Sequence, residues 1–114
     1  MPQQLEELKK SFHLMWDHFP QPCTLVHRTK EVIAVNPACD IIGRRVGMIC
    51  SQHGPAEAHQ GCLANQALRE RSPQVQRVVR GDLELLVFWL PVDGYPDYYI
   101  HFGLPTNAPQ TDAA

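Results

Sequence analysis

The feature that most constrains this chain lies in its second half. Leu83 to Val92 is apolar at both parities and is bounded by Gly81-Asp82 on one side and Asp93-Gly94 on the other. Such a run, rich in aromatic and branched side chains and closed by turn residues, is a strand. Asp-Gly is among the strongest short-range hairpin signals. The turns join this strand to Gln74–Arg80 before it and Tyr98–Leu104 after it. Three antiparallel strands follow from that one stretch. A strand apolar on both faces leaves one side for a partner or for a helix of the same chain.

Upstream, Cys23–Arg28 and Glu31–Val35 are two shorter β-prone runs, with Thr29-Lys30 as the turn between them. That turn lacks the Asn-Gly or Asp-Gly of a tight hairpin. Asn36-Pro37 then reads as a helix start: Asn36 as cap, and Pro37 where a missing N–H costs nothing. Gly43 ends that helix early. Residues 43–54 read as loop. Pro55 opens a longer helix to Arg71, closed by Ser72-Pro73. Its large apolar residues are few, Leu63 and Leu68, beside Ala56, Ala58, Ala64, Ala67 and Cys62, and small side chains permit close approach to a sheet or ligand. Residues 3–19 form an amphipathic helix, with Leu5, Leu8, Phe12, Met15, Trp16 and Phe19 at spacings of three and four. Pro20 and Pro22 stop it. It either packs on its own domain or serves dimerisation. The fold class is α+β: a five-stranded antiparallel sheet with helices on one face and an added N-terminal amphipathic helix. The expected organisation is helix 1–20, core 21–104 and disordered tail 105–114.

With 114 residues the chain makes one domain. Its 10 basic and 12 acidic residues are dispersed, giving a net charge of −2, so no nucleic-acid surface is expected. No apolar run is long enough for a membrane span, and no signal peptide is evident. A cytoplasmic location with reduced thiols is the expectation.

The densest chemistry is Cys50, His53, His59 and Cys62. Two thiolates and two imidazoles at such spacing suit tetrahedral zinc, with iron as the other candidate. The plainer reading is a core Cys62, a half-buried loop Cys50 and surface histidines. Cys50 and Cys62 would also serve a thiol-redox sensor. No third residue orients a Cys50–His53 pair, and no phosphate-cradling or dinucleotide loop is present, so no enzyme is expected.

The element order, together with Phe19-Pro20-Gln21-Pro22, Leu25-Val26, Val32-Ile33-Ala34-Val35-Asn36-Pro37-Ala38, Gly43 and Arg45-Val46-Gly47, resembles the PAS domains of bacterial sensory proteins over about residues 12–104. The family often has Asp-Gly where this chain has Thr29-Lys30. Gly61-Cys62 is similar to some bacterial members, but the cysteines that follow there are Asn65-Gln66 and neighbours here, which speaks against an iron–sulfur helix. The flavin-binding Cys motif of light sensors is not reproduced. The resemblance implies a small cavity between the inner sheet face and the long helix, taking haem, metal, a small organic ligand or nothing. For haem, His59 would be the axial ligand, and Leu85, Val87, Trp89, Ile100 and Phe102 would line the pocket, with Leu86 and Phe88 facing away. The resemblance also implies a homodimer and a signalling protein partner. The expected function is a sensory module; the alternatives are a ligand-free homodimerisation domain and the redox sensor.

Overall fold

The computed structural model describes residues 2–49 and 63–106. It begins with helix α1, Pro2–Trp16. The apolar periodicity runs on to Phe19, but the helix stops at Trp16. Phe19 stands before Pro20, a position where helical backbone is disfavoured, and its N–H closes the end on the Trp16 carbonyl at 3.0 Å. Strands β1 (Cys23–His27) and β2 (Val32–Val35) follow. The turn between them sets Lys30 at φ 79°, the left-handed region that Gly occupies without strain.

Pro37–Ile42 is a short 3-10 helix, and Gly43 caps it at φ 70° as the sequence leads one to expect. Asn36 precedes it in extended backbone but makes no side-chain cap bond, contrary to the capping role read from Asn36-Pro37. Its side chain is used elsewhere. Helix α2 is Ala64–Glu70, shorter than the Pro55–Arg71 expectation; Leu63 is not helical, and residues 50–62 lie outside the described residues. Strands β3 (Gln74–Arg80), β4 (Leu83–Val92) and β5 (Tyr95–Pro105) complete the chain. β5 starts and ends beyond Tyr98–Leu104, so Pro105 belongs to the sheet and not to the tail.

The five strands form one sheet in the order β2-β1-β5-β4-β3, with every neighbouring pair antiparallel. The first strand thus lies beside the last. Both faces are covered. On one face Ala64 and Ala67 of α2 are fully buried with Val26, Val32, Trp89 and Tyr99. On the other, Leu8 and Phe12 of α1 are buried with Cys23, Leu25, Ala34 and Ile100. An aromatic chain extends that second core, Trp16–Phe19–Phe102–Phe88, with Phe88 and Phe102 stacked at 4.9 Å. This double cover explains why β1 is apolar at both parities and buried along Cys23–Val26. Among the described residues no helix is long and apolar enough to cross a membrane.

Candidate ligand-binding face

The face beneath α2 carries the side chains with ligand chemistry. Trp89 on β4 and His101 on β5 are direct cross-strand partners, so their side chains leave the sheet on the same side. Their rings stack with centroids 5.3 Å apart and planes 20° off parallel. Tyr99 lies on the same face, edge-on to His101 at 6.5 Å, and is buried. His101 Nδ1 lies 3.1 Å from the Phe88 carbonyl oxygen. A carbonyl only accepts, so in the neutral ring Nδ1 carries the proton and Nε2 is the basic nitrogen. A buried Thr24 hydroxyl donates to the His101 carbonyl at 3.3 Å. The imidazole is therefore fixed by a stack, a ladder and a hydrogen bond. The small side chains of Ala64 and Ala67 let α2 come down on this surface, and Lys30 Nζ reaches from the β1–β2 turn to Asn65 Oδ1 at 2.8 Å.

The site residues expected from sequence separate here. Cys50, His53, His59 and Cys62 lie outside the described residues. Among the described residues no three His, Cys, Asp or Glu side chains gather as a metal site. Leu85, Val87 and Trp89 share one parity of β4, and Val87 and Trp89 belong to the core under α2. Ile100 and Phe102 do not join them. They pair with Leu90 and Phe88 and pack on the α1 side. The five residues therefore do not line one pocket.

The cause is a register shift. The Asp93-Gly94 turn sets Val92 opposite Tyr95. Continued without interruption, that turn would put Val87 opposite Ile100 and Leu85 opposite Phe102, the arrangement expected. The ladder instead slips between Pro91 and Val92, and Val87 pairs with Gly103. The slip is an odd number of residues, so it exchanges the two faces of β5. Pro91 and Pro96 flank it, each without an N–H for the ladder. Tyr99 and His101 take the inward positions in place of Ile100 and Phe102. The two prolines beside the turn are the sequence signal for this.

The remaining described cysteines, Cys23 and Cys39, are fully buried free thiols. Burial, then the neighbouring Cys39, pushes the Cys23 thiol far above its ordinary range; Cys39 is also raised, chiefly by burial. Both are core residues and not nucleophiles. Cys39 Sγ donates to the Cys23 carbonyl and to Asn36 Oδ1, each at 3.4 Å. Asn36 is the polar centre of the domain. Its Oδ1 accepts from Cys23 N–H at 2.9 Å. Its Nδ2 faces the carbonyls of Trp16, Phe19 and Gln21 at 3.1, 3.2 and 3.0 Å.

No protein-family model and no curated protein matches the sequence significantly. Solved structures do. A domain of an HTR-like protein from Haloarcula marismortui superposes with a TM-score of 0.65 at 18% identity, covering 77% of this chain and 99% of that one. The PAS domain of Bordetella pertussis BvgS gives a TM-score of 0.53 at 18% identity over 92% of this chain and 87% of that one. The chain has the PAS fold. A sensory box sensor histidine kinase from Vibrio cholerae also shares it, with a TM-score of 0.65 at 11% identity over 94% and 96% of the two chains. A PAS fold accounts for the β2-β1-β5-β4-β3 order and for the helix laid across the face that carries Trp89, Tyr99 and His101.

Proposed function

We propose that this PAS domain is a sensory module that binds a small ligand, haem or metal on the face under α2 and signals through protein–protein contacts. The observation that carries this reading is the fixed Trp89–His101 pair with Tyr99 beside it. Cys50, His53, His59 and Cys62 are the metal-ligand set proposed from sequence, and His59 the axial candidate for haem. One of the similar structures comes from a protein described as a sensory box sensor histidine kinase, which supports the signalling half. The module acts by binding and not by catalysis. It is expected in the cytoplasm and as a homodimer.

The test is to purify the protein without added cofactor, record its visible spectrum and measure bound metal by elemental analysis. A Soret band supports haem. Near-stoichiometric zinc or iron that disappears in a Cys50→Ser/Cys62→Ser variant supports the metal reading. A colourless, metal-free dimer favours the ligand-free interaction domain. Reversible loss of free thiol at Cys50 and Cys62 under peroxide favours the redox sensor.

A further inference from the structure

The two edges of the sheet are treated differently. β2, at one edge, is engaged by the segment that follows the 3-10 helix: Val32 N–H donates to the Met48 carbonyl, Gly47 N–H donates to the Val32 carbonyl, each at 2.8 Å, and Glu31 bridges Ile49. β3, at the other edge, pairs with β4 along its whole length without a register shift. Among the described residues nothing pairs with its outer side. It contains no proline, no lysine and no bulge, three of the usual guards of an open edge; its charges are Arg77 and Arg80.

The side chains of this edge follow a pattern. Val75, Arg77 and Val79 are opposite Phe88, Leu86 and Glu84, so they share the α1-side face, beyond the reach of the core under that helix. Val75 is 53% and Val79 62% exposed. Arg77 between them bonds Glu84 through Nε, yet its side chain is 68% exposed. Arg69 and Arg71, both exposed, stand where α2 leads into β3, with Glu70 between them accepting from Gln74 Nε2 at 3.4 Å. The edge is therefore an apolar–basic–apolar strip whose outer backbone has no strand partner among the described residues.

A second copy fits this strip poorly. Antiparallel pairing that sets Val75 against Val79 of the other copy places the two Arg77 side chains directly opposite, and like charges at that position are destabilising. We propose that β3 receives an extended segment of a different protein, one with an acidic residue flanked at two positions on either side by apolar ones. The segment adds a sixth strand to the sheet; main-chain bonds supply affinity, and the alternating side chains supply selectivity. This rests on reading the domain as a module that signals through protein contacts, but it is independent of any ligand on the α2 face.

The experiment uses the full chain and a fluorescein-labelled peptide, Thr-Val-Thr-Glu-Thr-Val-Thr, with a twin carrying lysine in place of glutamate. Fluorescence polarisation should show the glutamate peptide binding about fivefold more tightly than the lysine twin, as opposed and like cross-strand charges differ. Arg77→Glu should reverse the preference, Arg77→Gln should abolish it, and Val79→Lys should weaken the glutamate peptide by about tenfold. Amide NMR spectra of each variant establish that it is folded, and peptide-induced shifts should concentrate on β3. Equal affinity for the two peptides, binding unaffected by Val79→Lys, or shifts concentrated on α1 in place of β3 would overturn the proposal. So would self-association that Val79→Lys abolishes without any peptide binding, since that outcome assigns the edge to a second copy.

Discussion

Replacing Asn36 by alanine should destabilise this domain more than any other single polar substitution in it. The magnitude follows from the bonds. The amide nitrogen has two hydrogens and faces three carbonyls at 3.0–3.2 Å, so it makes two full donations at a time. The Trp16 carbonyl keeps the Phe19 N–H as a partner when Asn36 is gone, whereas the Cys23 N–H loses its acceptor inside a core where Cys23 is fully buried. Two lost donations at about 1 kcal/mol each and one stranded buried donor at about 1–3 kcal/mol give a cost of about 3–5 kcal/mol. A domain of this size commands only about 5–15 kcal/mol in total.

Urea unfolding followed by circular dichroism measures this cost as a lower midpoint at unchanged slope. Amide exchange locates it. Protection should fall in α1 and at Cys23 before it falls in β4, because the bonds removed are those that tie the end of α1 to the start of β1. Asn36→Asp is the control for mechanism. It keeps the acceptor for Cys23 N–H but turns a donor toward three carbonyls into a second acceptor, so it should be at least as damaging as alanine at neutral pH. A loss under 1 kcal/mol for Asn36→Ala, or an aspartate variant as stable as wild type, would refute the reasoning that the donated bonds hold α1 in place.

Three further outcomes follow from the same packing. Phe12→Ala should cost about 3–5 kcal/mol by urea unfolding, because Phe12 is the deepest side chain of α1 in the second core. Ala67→Leu should cost about 1–3 kcal/mol and shift the amide resonances of Trp89 and Tyr99, since added bulk must lift α2 off the sheet. Cys23 and Cys39 should resist iodoacetamide in the folded protein and react only on unfolding. Their thiols are raised by burial, so the neutral form is favoured in the folded state; that stabilisation is whole below the ordinary value of 9.0 and is lost as pH rises above it. The urea midpoint should therefore drop in alkaline solution, and Cys23→Ala should flatten the drop.

Most of the fold was legible because turn chemistry and parity agreed. Gly81-Asp82 and Asp93-Gly94 bound β4 at the residues read from the sequence, and Gly43 closes the 3-10 helix in the conformation that Gly permits. What misled was a parity argument applied to a sheet covered on both faces. Ile100 and Phe102 are apolar because α1 covers them, not because they face α2. Hydrophobicity reports burial and is silent about which side, so the faces of β5 had to come from register. Register in turn depended on an odd slip beside Pro91. Asn36 was found for the wrong reason. An Asn before Pro reads as a helix cap, and no local pattern reveals that its amide turns instead to Trp16, Phe19 and Gln21.

Burial across the sheet also decides where further chemistry can sit. β1 is closed in from both sides along Cys23–Val26, and a strand so enclosed has nothing left to offer a partner. β4 is mostly half-buried, with Trp89 turned under α2 and Phe88 turned toward Phe102. β3 alternates, its Val75, Arg77 and Val79 standing in solvent. The sheet thus passes from sealed to open along the order β1-β5-β4-β3. A ligand bound under α2, as proposed, would meet Trp89 and His101 on the two strands between those extremes. Trp89 stands on β4, and β3 is paired with β4 through all of its residues. The aromatic pair and the open edge are therefore one strand apart.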